Sequence, residues 1–198
     1  RKGLHTSGVV GTLAAAASAA RIMQLDQAQI ATTLGIAGSM ASGIRANFGT
    51  MTKPLHVGRA VENGVTAALL AARGYTADPE ILDGRWGFPT VLGGGFTESK
   101  LSEGFGAPLT MVEPGVSIKP YPSGILTHQS MDAMRDLVFE HDLKPEEVSR
   151  IDFYAANNII EPIRYPIAKN HLQAKFSMPA LLAMMVIRRQ AGRREFVD

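Results

Sequence analysis

Val9-Val10-Gly11-Thr12-Leu13-Ala14-Ala15-Ala16-Ala17-Ser18-Ala19-Ala20-Arg21-Ile22-Met23 is nearly unbroken alanine, valine, leucine and serine. Alanine loses no side-chain freedom in a helix, so the stretch has high helix propensity, and it has no wide polar face. It predicts a helix inside a bundle, where small side chains let neighbours approach closely. It is too short and too diluted by alanine and serine to cross a bilayer, which takes about 20 apolar residues.

Working outward, Asp26 is placed to cap a second helix. Ile30, Leu34, Ala37, Ala41 and Ile44 recur at helical spacing as its buried stripe. Gly35, Gly38 and Gly43 weaken such a helix by ~1 kcal/mol each relative to alanine, so tight helix–helix contact is the expected compensation. Residues 45 to 53 read as a polar loop. Pro54 opens a third helix, with Lys53 as its cap residue and Val61, Val65, Ala68 and Ala72 on its inner face; Gly74 stops it.

The texture then changes. Residues 84 to 108 hold Gly84, Gly87, Gly93, Gly94, Gly95, Gly104 and Gly106 with Pro89 and Pro108, which marks an interdomain connection. The predicted division is residues 1–95 in a helical domain and 96–198 in a second module, with the boundary inside 84–108. In that module Val116 and Ile118 alternate into Lys119-Pro120-Tyr121-Pro122. Met131, Met134 and Val138 mark an amphipathic helix over about 127–141. Ile151, Phe153 and Ala155 alternate with Asp152 and Tyr154 as a half-buried strand, and residues 176–189 form a helix apolar on every side. The fold class expected is mainly α with a smaller α+β module.

Of the 198 residues, 45% are hydrophobic and 19% charged, which is enough for a packed core and excludes a disordered chain. There is no cysteine, so disulfides, thiolate zinc sites and a cysteine nucleophile are excluded together, and a cytoplasmic setting is expected. A net charge of only +2 argues against nucleic acid as a partner, and nothing reads as a membrane anchor. Arg1 to Gly8 has neither an initiator methionine nor the pattern of a signal peptide and reads like the middle of a longer polypeptide.

His5, His56, His128, His141 and His171 show no metal-ligand spacing, and Gly93-Gly94-Gly95-Phe96 lacks the Lys-Ser/Thr of a phosphate loop. Neither a metal nor a cofactor is expected. What remains is a set of cations in places local rules would not choose. A helix start disfavours Lys53 by ~0.3–1 kcal/mol against the helix dipole. Free backbone N–H groups beside a lysine and an imidazole, His56, also suit a carboxylate. Lys53 therefore reads either as a solvated surface lysine or as an anion ligand. Lys119, held rigid by Pro120 and Pro122 and followed by Ser123 and Gly124, carries the same two readings. His5 lies between Gly3 and Gly8 with room for a ligand, or as a satisfied structural histidine. His128 can donate or cap at a helix start, and Arg59 can bind an anion or pair with Glu62.

Gly3-Leu4-His5-Thr6, Leu34-Gly35-Ile36-Ala37-Gly38-Ser39, Thr52-Lys53-Pro54-Leu55-His56-Val57-Gly58-Arg59-Ala60, Lys119-Pro120-Tyr121-Pro122 with Thr127-His128, and Ala174-Lys175-Phe176-Ser177-Met178-Pro179 occur in this order. Together they resemble the MmgE/PrpD family, which contains 2-methylcitrate dehydratase, cis-aconitate decarboxylase and iminodisuccinate epimerase. The resemblance runs over nearly the whole chain. It implies a helical main domain with a smaller α+β lid, an active site in the cleft between them, a homodimer, and cofactor-free chemistry on small di- or tricarboxylic acids. Members are longer than this chain, and part of their catalytic set lies in upstream sequence.

Carried over position by position, the resemblance makes His5, Lys53 and Lys119 catalytic and puts His56 in the same motif as Lys53; His56, Arg59, Ser123 and His128 are the residues expected to bind the substrate. Decarboxylase members carry a histidine on the lid loop where this chain has Gly124, which ranks decarboxylation last. The expected activity is dehydration of a 2-methylcitrate-like hydroxy acid by removal of a proton α to a carboxylate. The alternatives are epimerisation of a small dicarboxylate such as iminodisuccinate, or carboxylate binding without turnover.

Overall fold

A computed structural model describes residues 3–97 and 99–197. They divide into two compact units, one drawn from residues 1–47 and 51–114, the other from 48–50 and 115–198.

In the first unit, α1 (Thr6–Ile22), α2 (Gln27–Met40) and α3 (Thr52–Ala72) pack together, followed by irregular chain and one turn, α4 (Ser99–Ser102). Asp26 caps α2 through a reciprocal pair: its Oδ1 accepts the Gln29 N–H at 2.9 Å, and its own N–H donates to Gln29 Oε1 at 3.1 Å. The core joins Ala16, Ile36, Ala37, Ala67 and Ala71. Two fully buried hydroxyls are satisfied inside their own helices, Thr12 donating to the Gly8 carbonyl at 2.7 Å and Thr33 to the Gln29 carbonyl at 2.8 Å. Asn63 Nδ2 donates to the Met40 carbonyl at 3.0 Å and so occupies an orphan carbonyl at the end of α2.

The inner faces differ from the expected ones. On α3 the buried residues are Ala60, Asn63, Gly64, Ala67, Ala68 and Ala71, whereas Val61 and Val65 are 52% and 41% exposed. Backbone proximity explains the reversal: a Cβ on Gly64 would lie 2.6 Å from Ala15 Cβ and from the Ala16 nitrogen, so α1 and α3 touch where only the smallest side chains fit. On α2 the buried set is Thr33, Gly35, Ile36 and Ala37, and Ile44 lies beyond the helix, exposed. Gly35 and Gly38 admit Ala77 and Ile81, residues of the segment after α3, rather than a neighbouring helix. Nor is α1 enclosed on every side, since Val10, Ala14, Ala17, Ser18 and Arg21 are exposed.

Two glycines of α3 then behave oppositely. Gly64→Ala is expected to lower stability by about 1–3 kcal/mol, because backbone atoms of α1 must move. Gly58 has nothing within 4 Å of the added carbon, so Gly58→Ala is expected to raise stability by about 0.4–1 kcal/mol. Thermal melts of the two variants read the difference in sign directly.

In the second unit α5 (His128–Glu140) packs on α8 (Met178–Arg188), with single turns α6 (Asn157–Ile160) and α7 (His171–Ala174) between them. The core is Tyr121, Met131, Leu181, Met185, Ala191 and Phe196. Ser177 caps α8, its Oγ accepting the Ala180 N–H at 3.4 Å. One side of α8 is covered; Ile187 on another is 60% exposed.

The strands expected at 116–118 and 151–155 do not form. Among the described residues the only β pairing is a single antiparallel bridge between Leu4 and Ile44. Val116 and Ile118 are 76% and 91% exposed. Ile151, Phe153 and Ala155 keep their alternating half-burial, with Ile151 and Phe153 against Met178, Leu182 and Val186 around a groove of about 410 Å³. Alternation requires only one covered face, whereas a ladder requires a second extended segment alongside. The described fold is therefore mainly helical.

Candidate active site

His5 is the residue before α1, in extended backbone, and a short pairing fixes it. Its N–H donates to the Gly43 carbonyl at 2.9 Å, and the Arg45 N–H donates to the Gly3 carbonyl at 2.9 Å, on either side of the Leu4–Ile44 bridge. This seats the imidazole, 8% exposed, against the start of α3. There its Nδ1 lies 3.0 Å from Nδ1 of His56, with ring centroids 5.2 Å apart and planes at 54°.

Two glycines make the meeting feasible. Gly43 has φ +139°, and a Cβ there would be 3.4 Å from His5 Cβ and from the His56 ring; a Cβ on Gly8 would be 2.5 Å from the Ser42 carbonyl oxygen and 3.3 Å from His56 Cβ.

Lys53 is half-buried as the second residue of α3 rather than its cap, since the helix begins two residues earlier than Pro54 implied. The His5 pKa is pushed below its ordinary 6.5, first by burial, then by electrostatic repulsion of its protonated form by Lys53, His56 and Arg45. At neutral pH this imidazole is uncharged. An uncharged imidazole among cations can accept a proton from an acid whose carboxylates those cations hold.

Lys119, Ser123 and His128 lie in the second unit. Lys119 is exposed and its Nζ donates to the Ser123 carbonyl at 3.3 Å. The buried Ser123 hydroxyl is 2.9 Å from that of Thr127, which in turn donates to the Gly124 carbonyl at 2.8 Å. His128 is 5% exposed, edge-on to Tyr121 at 5.4 Å, and its Nε2 is buried with no hydrogen-bond partner among the described residues. The Tyr121 hydroxyl donates to Asp132 at 2.5 Å, and burial followed by that bond raises its pKa to about 12. Arg59 takes the second role open to it, an exposed pair with Glu62 at 2.7 Å.

The structure thus brings His5, His56 and Lys53 together in the first unit, and in the second joins Lys119 to Ser123. The sequence reading puts Gly43 in the second helix, which ends at Met40, and Arg45 in a loop, and assigns neither to the site. Their signal is a shared pattern, Gly3-Leu4-His5 and Gly43-Ile44-Arg45, each a glycine, an apolar residue and a basic residue, which are the two segments that pair.

Comparison with known proteins agrees with this arrangement of motifs. Residues 1–100 match the MmgE/PrpD N-terminal domain, and residues 121–198 match the MmgE/PrpD C-terminal domain. The chain belongs to the MmgE/PrpD family. Human cis-aconitate decarboxylase is 29% identical over 191 residues, covering 94% of this chain and 39% of the human protein. Mouse cis-aconitate decarboxylase is 33% identical over 145 residues, covering 73% of this chain and 29% of the mouse protein. The chain therefore spans about two fifths or less of the length of these relatives. They are lyases by name. Among the described residues no helix is long and apolar enough to cross a membrane.

Proposed function

We propose that this chain carries the histidine–lysine machinery of a cofactor-free lyase that removes a proton adjacent to a carboxylate of a small di- or tricarboxylic acid. The observation that carries this reading is the uncharged, buried His5 facing Lys53 and Arg45. Lys53 and Arg45 neutralise a substrate carboxylate and the dianion that develops as the neighbouring C–H bond breaks. His5 receives that proton. The electron pair of the broken C–H bond forms the new C=C bond, and the hydroxyl departs as water by taking the proton back from the His5 imidazolium, which returns to its uncharged form. Lys119, and His128, whose Nε2 has no hydrogen-bond partner among the described residues, are proposed to bind substrate carboxylate. In the full-length protein, residues 151–155 would pair as a strand of an α+β lid.

Dehydration of a 2-methylcitrate-like acid is the preferred reaction, because Gly124 supplies no imidazole where decarboxylase members carry one. Glycine there is not imposed by the backbone: φ is −62°, and an added Cβ would meet Ile163 and Phe176 at an ordinary 3.6 and 3.7 Å. Decarboxylation of cis-aconitate is the second reading, supported by the names of both relatives.

The full-length protein is tested against 2-methylcitrate, cis-aconitate and iminodisuccinate with products followed by mass. Loss of water from the hydroxy acid is expected. Release of CO2 from cis-aconitate would install the second reading, and binding without turnover of any of the three would remove both. Lys119→Ala is expected to raise KM about 10–100-fold, the equivalent of one charge-assisted hydrogen bond.

A further inference from the structure

Both rings of the first unit need not address the substrate. At 3.0 Å the two Nδ1 atoms are hydrogen-bonded, so one carries the hydrogen and the other offers its lone pair. Two uncharged arrangements satisfy this. If His56 donates, His5 keeps its hydrogen on Nε2 and has no lone pair with which to take a proton. If His5 donates, its Nε2 is a base.

Resting on the reading of His5 as that base, the geometry points to His56 as its positioning residue: it accepts the Nδ1–H of His5, fixes the tautomer with a basic Nε2, and holds the imidazolium once it forms. The Nδ1 of His56 is taken up by His5, so the contact with substrate expected of His56 would fall to its Nε2. When Nε2 of His5 takes the proton, the C–H electron pair stays with the substrate and one N–H bond forms. The positive charge is then shared along Nδ1–H···Nδ1, and no proton leaves the pair.

A carboxylate in the place of His56 would orient the ring equally well. It would also offset Lys53 and Arg45, whose charge the substrate needs. A neutral imidazole orients without that loss. The groups facing His5 are Lys53 and His56 from α3 and Arg45 from the turn at Arg45–Asn47. The glycines at 8 and 43, which leave space for the His56 side chain on two sides, are what a fixed ring requires.

The test uses the full-length protein with ¹⁵N-labelled histidine and the variants His56→Ala and His56→Asn, whose carboxamide oxygen can stand where Nδ1 stood. In the unsubstituted protein at pH 7.5, the His5 Nδ1 resonance is expected at a protonated position. His56→Ala is expected to lower kcat about 100-fold with KM within about threefold, and His56→Asn to recover most of that loss. A rise in KM at unchanged kcat, equal damage by alanine and asparagine, or an unprotonated His5 Nδ1 would each overturn the inference. Were His5→Ala itself to remain active, the reading of His5 as base would fall instead, and the nitrogen spectrum would still report which ring donates.

Discussion

Replacing Lys53 by methionine in the full-length protein is expected to lower kcat/KM by about 10²–10³-fold, the range for losing one preorganised donor to a developing oxyanion. Methionine keeps the apolar stem of this half-buried side chain and removes only the charge, so stability should change little. A second effect follows from electrostatics. Lys53 is the foremost of the charges that hold the His5 pKa down. Without it His5 becomes easier to protonate, and the acid limb of the kcat/KM profile should move to higher pH. An unchanged rate constant with an unmoved limb would remove Lys53 from the site.

Substituting His5 by alanine is expected to do more, a loss of about 10²–10⁴-fold in kcat, as for a general base. The main-chain bond from residue 5 to Gly43 survives the change, so the pairing that builds the site should persist. In the unsubstituted protein activity should fall as the pH drops through a value below 6.5, and that limb should vanish in the variant. Stability follows the same sign. The unfolded chain protonates this histidine near 6.5 and the folded chain only at lower pH, so acid favours unfolding in that window and stability returns as the pH rises above it.

Local signals were legible where one helix sufficed to state them. The alanine run gives α1, Asp26 starts α2, and Met131 and Val138 mark the buried side of α5. What depended on a neighbour was not. Valine outranks alanine as a core residue in isolation, yet Val61 and Val65 face outward because α1 and α3 approach closely enough to admit only Ala67, Ala71 and Gly64. Alternation at 151–155 fixed which side chains are covered and left open whether a partner strand exists. The candidate site shows the same limit. Lys53 and His5 each had a surface or structural explanation as sound as a functional one, and only the ordered motifs of the resemblance separated them. The His5–His56 contact spans 51 positions and two isolated pairing segments, a relation no local periodicity encodes.

The most direct measurement is a structure of the full-length protein with an unreactive tricarboxylate. One carboxylate is expected on Lys53 Nζ, with Nε2 of His5 directed at the carbon beside it. A ligand bound elsewhere, with Lys53 and His5 untouched, would contradict the assignment of this cluster as the place where the acid gives up its proton.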